Sequence, residues 1–326
     1  MKKTNSQSRK SQQGTRPSNK AASKTSLYQQ ITDKLLAQME KGVIPWKRPW
    51  KILDNGMAEV PTNYVTKKSY RGINLMLLSC NAYSRPYYMT YRQAQSQGGQ
   101  VKKGEKGHLV VFYKTLTQQQ ESGKDKILFW ERPSVVFNID QIEGIDFRQP
   151  DLLIGQPDQT LLNERCEAVY QNFPAPPRLV NQQLDRAFYQ RSTDVVNMPP
   201  VQAFTTPAMY YSVLFHELTH ATGHTNRLNR DDLGAGAMGS QSYSREELTA
   251  ELGAAFLGAV CGINQQDQAI QIQTASYLKG YMRALKDDVT LFYKASQQAQ
   301  KAVDHILNRS YETVPQPEEN DVAESV

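Results

Sequence analysis

Leu27, Ile31, Leu35, Leu36 and Met39 recur at three- and four-residue steps, which puts them along one face of a helix that Gly42 can close. Pro45 then interrupts the chain in the loop PWKRPW. A turn-rich segment, residues 61–74, precedes an apolar stretch from Leu75 to Leu78. Thr90 suits the N-cap of a short helix, Tyr91 to Gln97, that stops at Gly98-Gly99. The pattern then changes period. Residues 108–114, 126–130 and 134–139 are rich in β-branched and aromatic side chains, and the first two flank a polar loop, which predicts a hairpin or meander. Two short strand-like pieces, 187–190 and 193–197, end before Pro199-Pro200. Thr206-Pro207 offers an N-cap followed by proline at the first helical position. Further helices are predicted at about 245–261 and 269–308.

These elements predict an α+β fold in two domains. Residues 27–145 read as a small α+β domain, 146–160 as a Pro- and Gly-containing linker, and 161–310 as a mostly helical domain with a small sheet. Residues 1–26 and 311–326 have few large apolar side chains. They cannot offset ordering entropy by burial and are expected to be disordered. The longest apolar run, Leu252 to Ile263, is too short to span a bilayer and reads as a core helix. The basic N-terminus has no apolar stretch behind it, so it does not read as a signal peptide. Cys80, Cys166 and Cys261 are sparse and widely spaced, which suits a reducing compartment. A cytoplasmic protein without a membrane partner is the expectation.

Charge divides the chain. The net value is +6, but residues 1–26 hold seven Lys and Arg and no acid, 27–145 hold 17 basic and 10 acidic residues, and 146–326 hold 14 basic and 22 acidic ones. A basic first half points to a polyanion partner. Within it, cations and rings interleave: Trp46, Lys47, Arg48, Trp50, Tyr64, Lys67, Lys68, Tyr70, Arg71, Lys102, Lys103 and Lys106. Bases stack on aromatic faces while Lys and Arg follow phosphates, the combination that single-stranded DNA requires. No helix-turn-helix, zinc-finger or RRM signature accompanies them, so readout of a particular base sequence is not expected. A surface for a protein partner is the other reading of this half.

The most specific motif is His216-Glu217-Leu218-Thr219-His220. Two histidines four apart share a helix face and can bind one metal ion. The glutamate beside the first can act as general base on a metal-bound water. A catalytic zinc centre needs a third protein ligand. The extended pattern with a third histidine is not met, because Asn226 stands at that position. The second helix, SREELTAELGAAFLGAV, supplies Glu247 and Glu251 on one face. Glu251 is preferred as the ligand, with Glu247 as the alternative, because Gly253, Ala254 and Ala255 would let this helix pack close to the first. His224 suits a supporting or local capping role, and Tyr243, placed in the loop before the second helix, is a candidate oxyanion stabiliser. An extended peptide could lie along the short strand near Asp194–Asn197.

Several long segments together resemble the ArdC-type antirestriction proteins of conjugative plasmids, whose N-terminal domain is similar to that of TraC-type plasmid primases. They are residues 61–74 (PTNYVTKKSYRGIN), 88–107, 135–144 (VVFNIDQIEG), 215–224 (FHELTHATGH) and 244–258. The resemblance implies a single-stranded-DNA-binding domain followed by a zincin-like metallopeptidase domain with Zn2+ at His216 and His220 and Glu217 as the catalytic carboxylate. It also implies protection of incoming plasmid DNA during conjugation. One reading is then an enzyme held on single-stranded DNA that cleaves a protein such as a host restriction component. The alternative is a non-catalytic single-strand-binding protein whose zinc domain is a structural or partner-binding scaffold.

Overall fold

The computed structural model describes residues 20–42, 44–46, 60–81, 83–119, 125–147, 159–235, 240–263 and 274–309. The chain folds as an α+β protein with its larger sheet in the first half and most of its helices in the second. Helix α1 spans Lys20–Met39, so its first turns fall inside the stretch expected to be disordered. Residues 1–19, 310–326 and most of the expected linker lie outside the described residues. The apolar stretch near Leu75 is helix α2, Ile73–Ser79. Helix α3, Tyr91–Ser96, starts as predicted, with Thr90 and Gln93 forming a reciprocal capping box.

The first sheet has the order β1-β2-β5-β4, from Thr62–Asn63, Tyr87–Met89, Asp125–Asn138 and His108–Gln119. Strands β4 and β5 pair without interruption from His108↔Val136 to Gln119↔Asp125, merging the two predicted pieces after the turn into one strand. Pro133 does not break it. Its partner Val111 sends both backbone groups outward, to the Asn74 side chain at 2.7 Å each, so Val111 and Pro133 form a pair without mutual hydrogen bonds. The N–H that proline lacks would have pointed away from β4, at a position short of Phe137 and Asn138, where β5 pairs with β2. Asn74, on α2, thereby closes the outer edge of β4 as a strand would. Strands β3, Gln100–Val101, and β6, Ile142–Glu143, form a separate pair.

The second half opens with α4, Gln159–Gln171, and a sheet of order β7-β9-β8, from Arg178–Val180, Val195–Asn197 and Phe188–Gln190. Strand β7 lacked a signal in the hydrophobic pattern. Helix α5 spans Pro207–Ala221 and α6 spans Gln241–Cys261. The long helix predicted near the C-terminus is two, α7 at Thr274–Asp287 and α8 at Leu291–Ile306. Asp288 breaks it by accepting hydrogen bonds from the Thr290 backbone and hydroxyl at 2.8 and 2.6 Å.

The core crosses the predicted domain boundary. One buried cluster joins Ile31 and Leu35 of α1 and Met76 of α2 to Phe215 and Leu218 of α5, Leu252 of α6 and Phe292 of α8. Trp46 sits between Tyr281 and Phe292, with ring centroids 5.9 and 5.5 Å away. The Thr32 hydroxyl donates to the Val289 carbonyl at 2.8 Å, Gly72 N–H donates to Gln300 at 2.9 Å, and Arg71 pairs with Asp304. Among the described residues no helix is long and apolar enough to cross a membrane.

Candidate metal centre

Helix α5 is launched by Thr206, whose hydroxyl accepts from Met209 N–H, with Pro207 in the first turn. Its apolar residues Leu214, Phe215, Leu218 and Ala221 face the core, which leaves His216 and His220 together on another face. Helix α6 crosses it closely at Gly253. A Cβ there would lie 2.5 Å from the Thr219 side chain, so only glycine permits this approach. That crossing brings the turn carrying Glu246 and Glu247 over the histidines.

The two Nε2 atoms are 3.1 Å apart, and the Glu247 carboxylate lies 3.7 Å from each. One ligand atom each from His216, His220 and Glu247 converges within 4.8 Å. A tetrahedral ion with metal–nitrogen distances of about 2.0–2.1 Å separates its nitrogens by roughly 3.3 Å, so the donors fit a divalent cation. Glu251, the preferred third ligand from sequence, lies 4.0 Å from Nδ1 of His216, on the far side of that ring from His220. The geometry thus brings Glu247, the alternative from sequence, beside the two Nε2 atoms, and Glu251 to the other side of the His216 ring. The four-residue spacing of the glutamates could not tell which turn of α6 meets the two Nε2 atoms.

Two contributors had no clear sequence signal. Glu246 takes the Nδ1 side of His220 at 3.0 Å, which leaves Nε2 of that ring for a metal. Arg230, 5% exposed, holds Glu246 through two hydrogen bonds of 2.9 and 2.7 Å and also donates to the Thr219 carbonyl. Burial works against charge on both His220 and Glu246. On His220 the hydrogen bond to Glu246 and that carboxylate's charge override burial, so its pKa is raised; on Glu246 the hydrogen bonds from Arg230 and then His220 override it, so its pKa is lowered. Glu217 is 8% exposed beside His216. Tyr243 belongs to the first turn of α6 rather than a preceding loop, four residues before Glu247 and thus on its face. His224 plays the local capping part, accepting from Asn226 N–H at 3.2 Å.

The residues expected at a nucleic-acid surface separate into groups. Trp46 and Tyr70 are 2% and 7% exposed and serve the core, so neither ring is available to a base. The Arg71 guanidinium is engaged by Asp304. Lys67, Lys68, Lys102, Lys103 and Lys106 are exposed and Tyr64 is half-buried. Lys47, Arg48 and Trp50 lie outside the described residues.

Two family descriptions match the chain. Residues 25–137 match the N-terminal domain of anti-restriction factor ArdC, and residues 165–298 match a zincin-like metallopeptidase. A DNA primase TraC of Escherichia coli is 33% identical over 87% of this chain, which spans only 27% of that primase's length. The metal-free crystal structure of the antirestriction ArdC protein from plasmid R388 is 34% identical, covering 87% of this chain and 99% of that one, with a TM-score of 0.64. Its Mn(II)-bound structure is 36% identical, covering 86% and 97%, with a TM-score of 0.66. With a fold of the same topology, matching segments in both halves and near-complete coverage of the plasmid protein, this chain belongs to the ArdC family of antirestriction proteins.

Proposed function

We propose that this protein protects incoming plasmid DNA from restriction by binding it as a single strand, and that its second half is a zinc-dependent peptidase. The observation that carries the hydrolytic part is the convergence of His216, His220 and Glu247, with Glu246 and Arg230 fixing one imidazole. When bound, a divalent cation would acidify water and polarise a carbonyl. Its binding by the plasmid R388 protein as Mn(II) supports the site, and the nitrogen-rich donor set favours Zn2+. Glu217, next in sequence to His216, would take a proton from water and deliver it to the leaving amine. Tyr243 would steady the developing oxyanion, and the sheet of β7, β8 and β9, which packs on α5, would align an extended peptide. The substrate would be a protein, such as a host restriction component.

A second reading has its own support. Because α1 and α2 share a core with α5, α6 and α8, the zincin-like half also serves as the foundation of the first half, whether or not it cleaves anything. Glu217→Ala separates the two readings. In conjugation into a restricting recipient, the peptidase reading expects protection to collapse while metal content and melting temperature hold. Undiminished protection would leave the second half as a scaffold. Single-strand binding itself should weaken steeply with salt, through counterion release.

A further inference from the structure

The interleaved cations and rings of the sequence do not form one surface, since Trp46 and Tyr70 are core. A different group remains at the surface. The half-buried Tyr64 ring meets Phe147 at 5.0 Å and Tyr87 at 6.1 Å, both edge-to-face. The Lys67 ammonium lies 3.9 Å over the face of Tyr64, and the Arg85 guanidinium lies 5.7 Å from the Phe147 centroid. Arg85 donates to Asp140 at 2.8 Å, and Lys102 donates to the Asp140 carbonyl at 2.9 Å, so the cluster runs into the lysine turn that follows β3.

The backbone adds an independent observation. Lys67 has φ 57°, in the left-handed region, where glycine or asparagine is cheaper. The conformation is imposed by Asn63, whose side chain accepts from Val65 and Thr66 N–H and whose carbonyl accepts from Lys67 N–H. The turn needs no lysine there. Its side chain nevertheless ends over an aromatic face.

We infer that Tyr64, Tyr87 and Phe147 form a base-stacking platform for single-stranded DNA, gated by Lys67 and continued by Lys102 as a phosphate contact. This rests on the single-strand reading above and assigns its location. An incoming base takes the Tyr64 face that Lys67 now covers. The displaced ammonium, on a flexible stem, moves to the adjoining phosphate. Arg85, neutralised by Asp140, positions Phe147 rather than binding phosphate.

The test uses the full chain, a fluorescent oligo-dT, and the same phosphodiester backbone without bases. The wild-type protein should bind oligo-dT at least about ten-fold more tightly than the abasic strand, as stacking on a ring requires. Tyr64→Leu keeps the apolar bulk and should erase that preference, and Tyr64→Trp should keep it, with indole fluorescence quenched on binding. Lys67→Gly relieves the turn and should raise the melting temperature while weakening oligo-dT binding several-fold. A wild-type chain that binds neither strand would overturn the single-strand reading itself. A wild-type chain that prefers oligo-dT, with Tyr64→Leu and Lys67→Gly both matching it, would overturn the platform alone.

Discussion

At the scale of single residues, the metal centre is organised from behind. Nδ1 of His220 meets Glu246, and Glu246 is held by a buried guanidinium, so ring orientation is set before any ion arrives. Losing such outer support costs about 10–100-fold in metal affinity in comparable sites. Glu246→Gln should therefore weaken Zn2+ or Mn2+ binding by about that factor in calorimetric titration. Arg230→Met leaves Glu246 buried without its main cation and should cost about 3–5 kcal/mol in urea unfolding. Glu247→Ala should abolish stoichiometric metal, whereas Glu251→Ala should retain it. The reverse result would restore Glu251 as the ligand. A different residue contributes to the acid limb of stability. Burial, followed by the nearby Lys34 charge, pushes His108 down to about 4 from its ordinary value of 6.5. The folded chain thus binds this proton less well than the unfolded chain. The penalty is absent above pH 6.5, grows as pH falls towards about 4, and then levels off. His108→Gln should flatten the fall in urea midpoint between those limits.

At the scale of elements, the helix carrying the histidines was legible because its signals are local. Thr206 caps it, Pro207 starts it and apolar residues pattern it, all within the cap and the fifteen residues of the helix. The same holds for α3, with its capping box. What sequence could not supply was how two elements meet. Which of Glu247 and Glu251 comes nearer the two Nε2 atoms depends on where α6 crosses α5, and Trp46 turned inward because α7 and α8 offered Tyr281 and Phe292. The β4–β5 ladder passes through Pro133 because Asn74, on a different element, takes the hydrogen bonds of Val111. Gly253 sits at the helix crossing itself. An alanine there would collide with Thr219, which packs in a buried position, so the helices must part. Gly253→Ala should cost about 1–3 kcal/mol of stability. It should also lower metal affinity, since the carboxylates of α6 move with the helix. A variant destabilised with unchanged metal affinity would show that the crossing and the site are independent.

At the scale of the whole molecule, charge and hydrophobic pattern describe two different partitions. The basic and acidic halves meet near residue 146, but the core ignores that border. Helix α1 precedes the whole first sheet in sequence, yet its buried face lies against α7 and α8, with the Tyr28 ring tilted against Tyr293 at 4.9 Å between centroids and Thr32 bonded to Val289. A chain divided at residues 148–158 would leave Ile31, Leu35 and Trp46 exposed on one piece and Phe292 exposed on the other. Each exposure removes the burial that offsets ordering entropy, so neither half should be stable alone. The full chain should instead unfold as one cooperative unit. Trp46 reports on this directly. In a chain with Trp50 and Trp130 replaced by Phe, its fluorescence transition in urea should coincide with the loss of helical circular dichroism and with release of bound metal. Three coincident curves are expected because the ring that senses the seam, the helices that hold it and the imidazoles on α5 all rest on the same buried cluster. A metal-release curve well separated from the Trp46 curve would mean that the zincin-like half keeps its fold after the seam has opened.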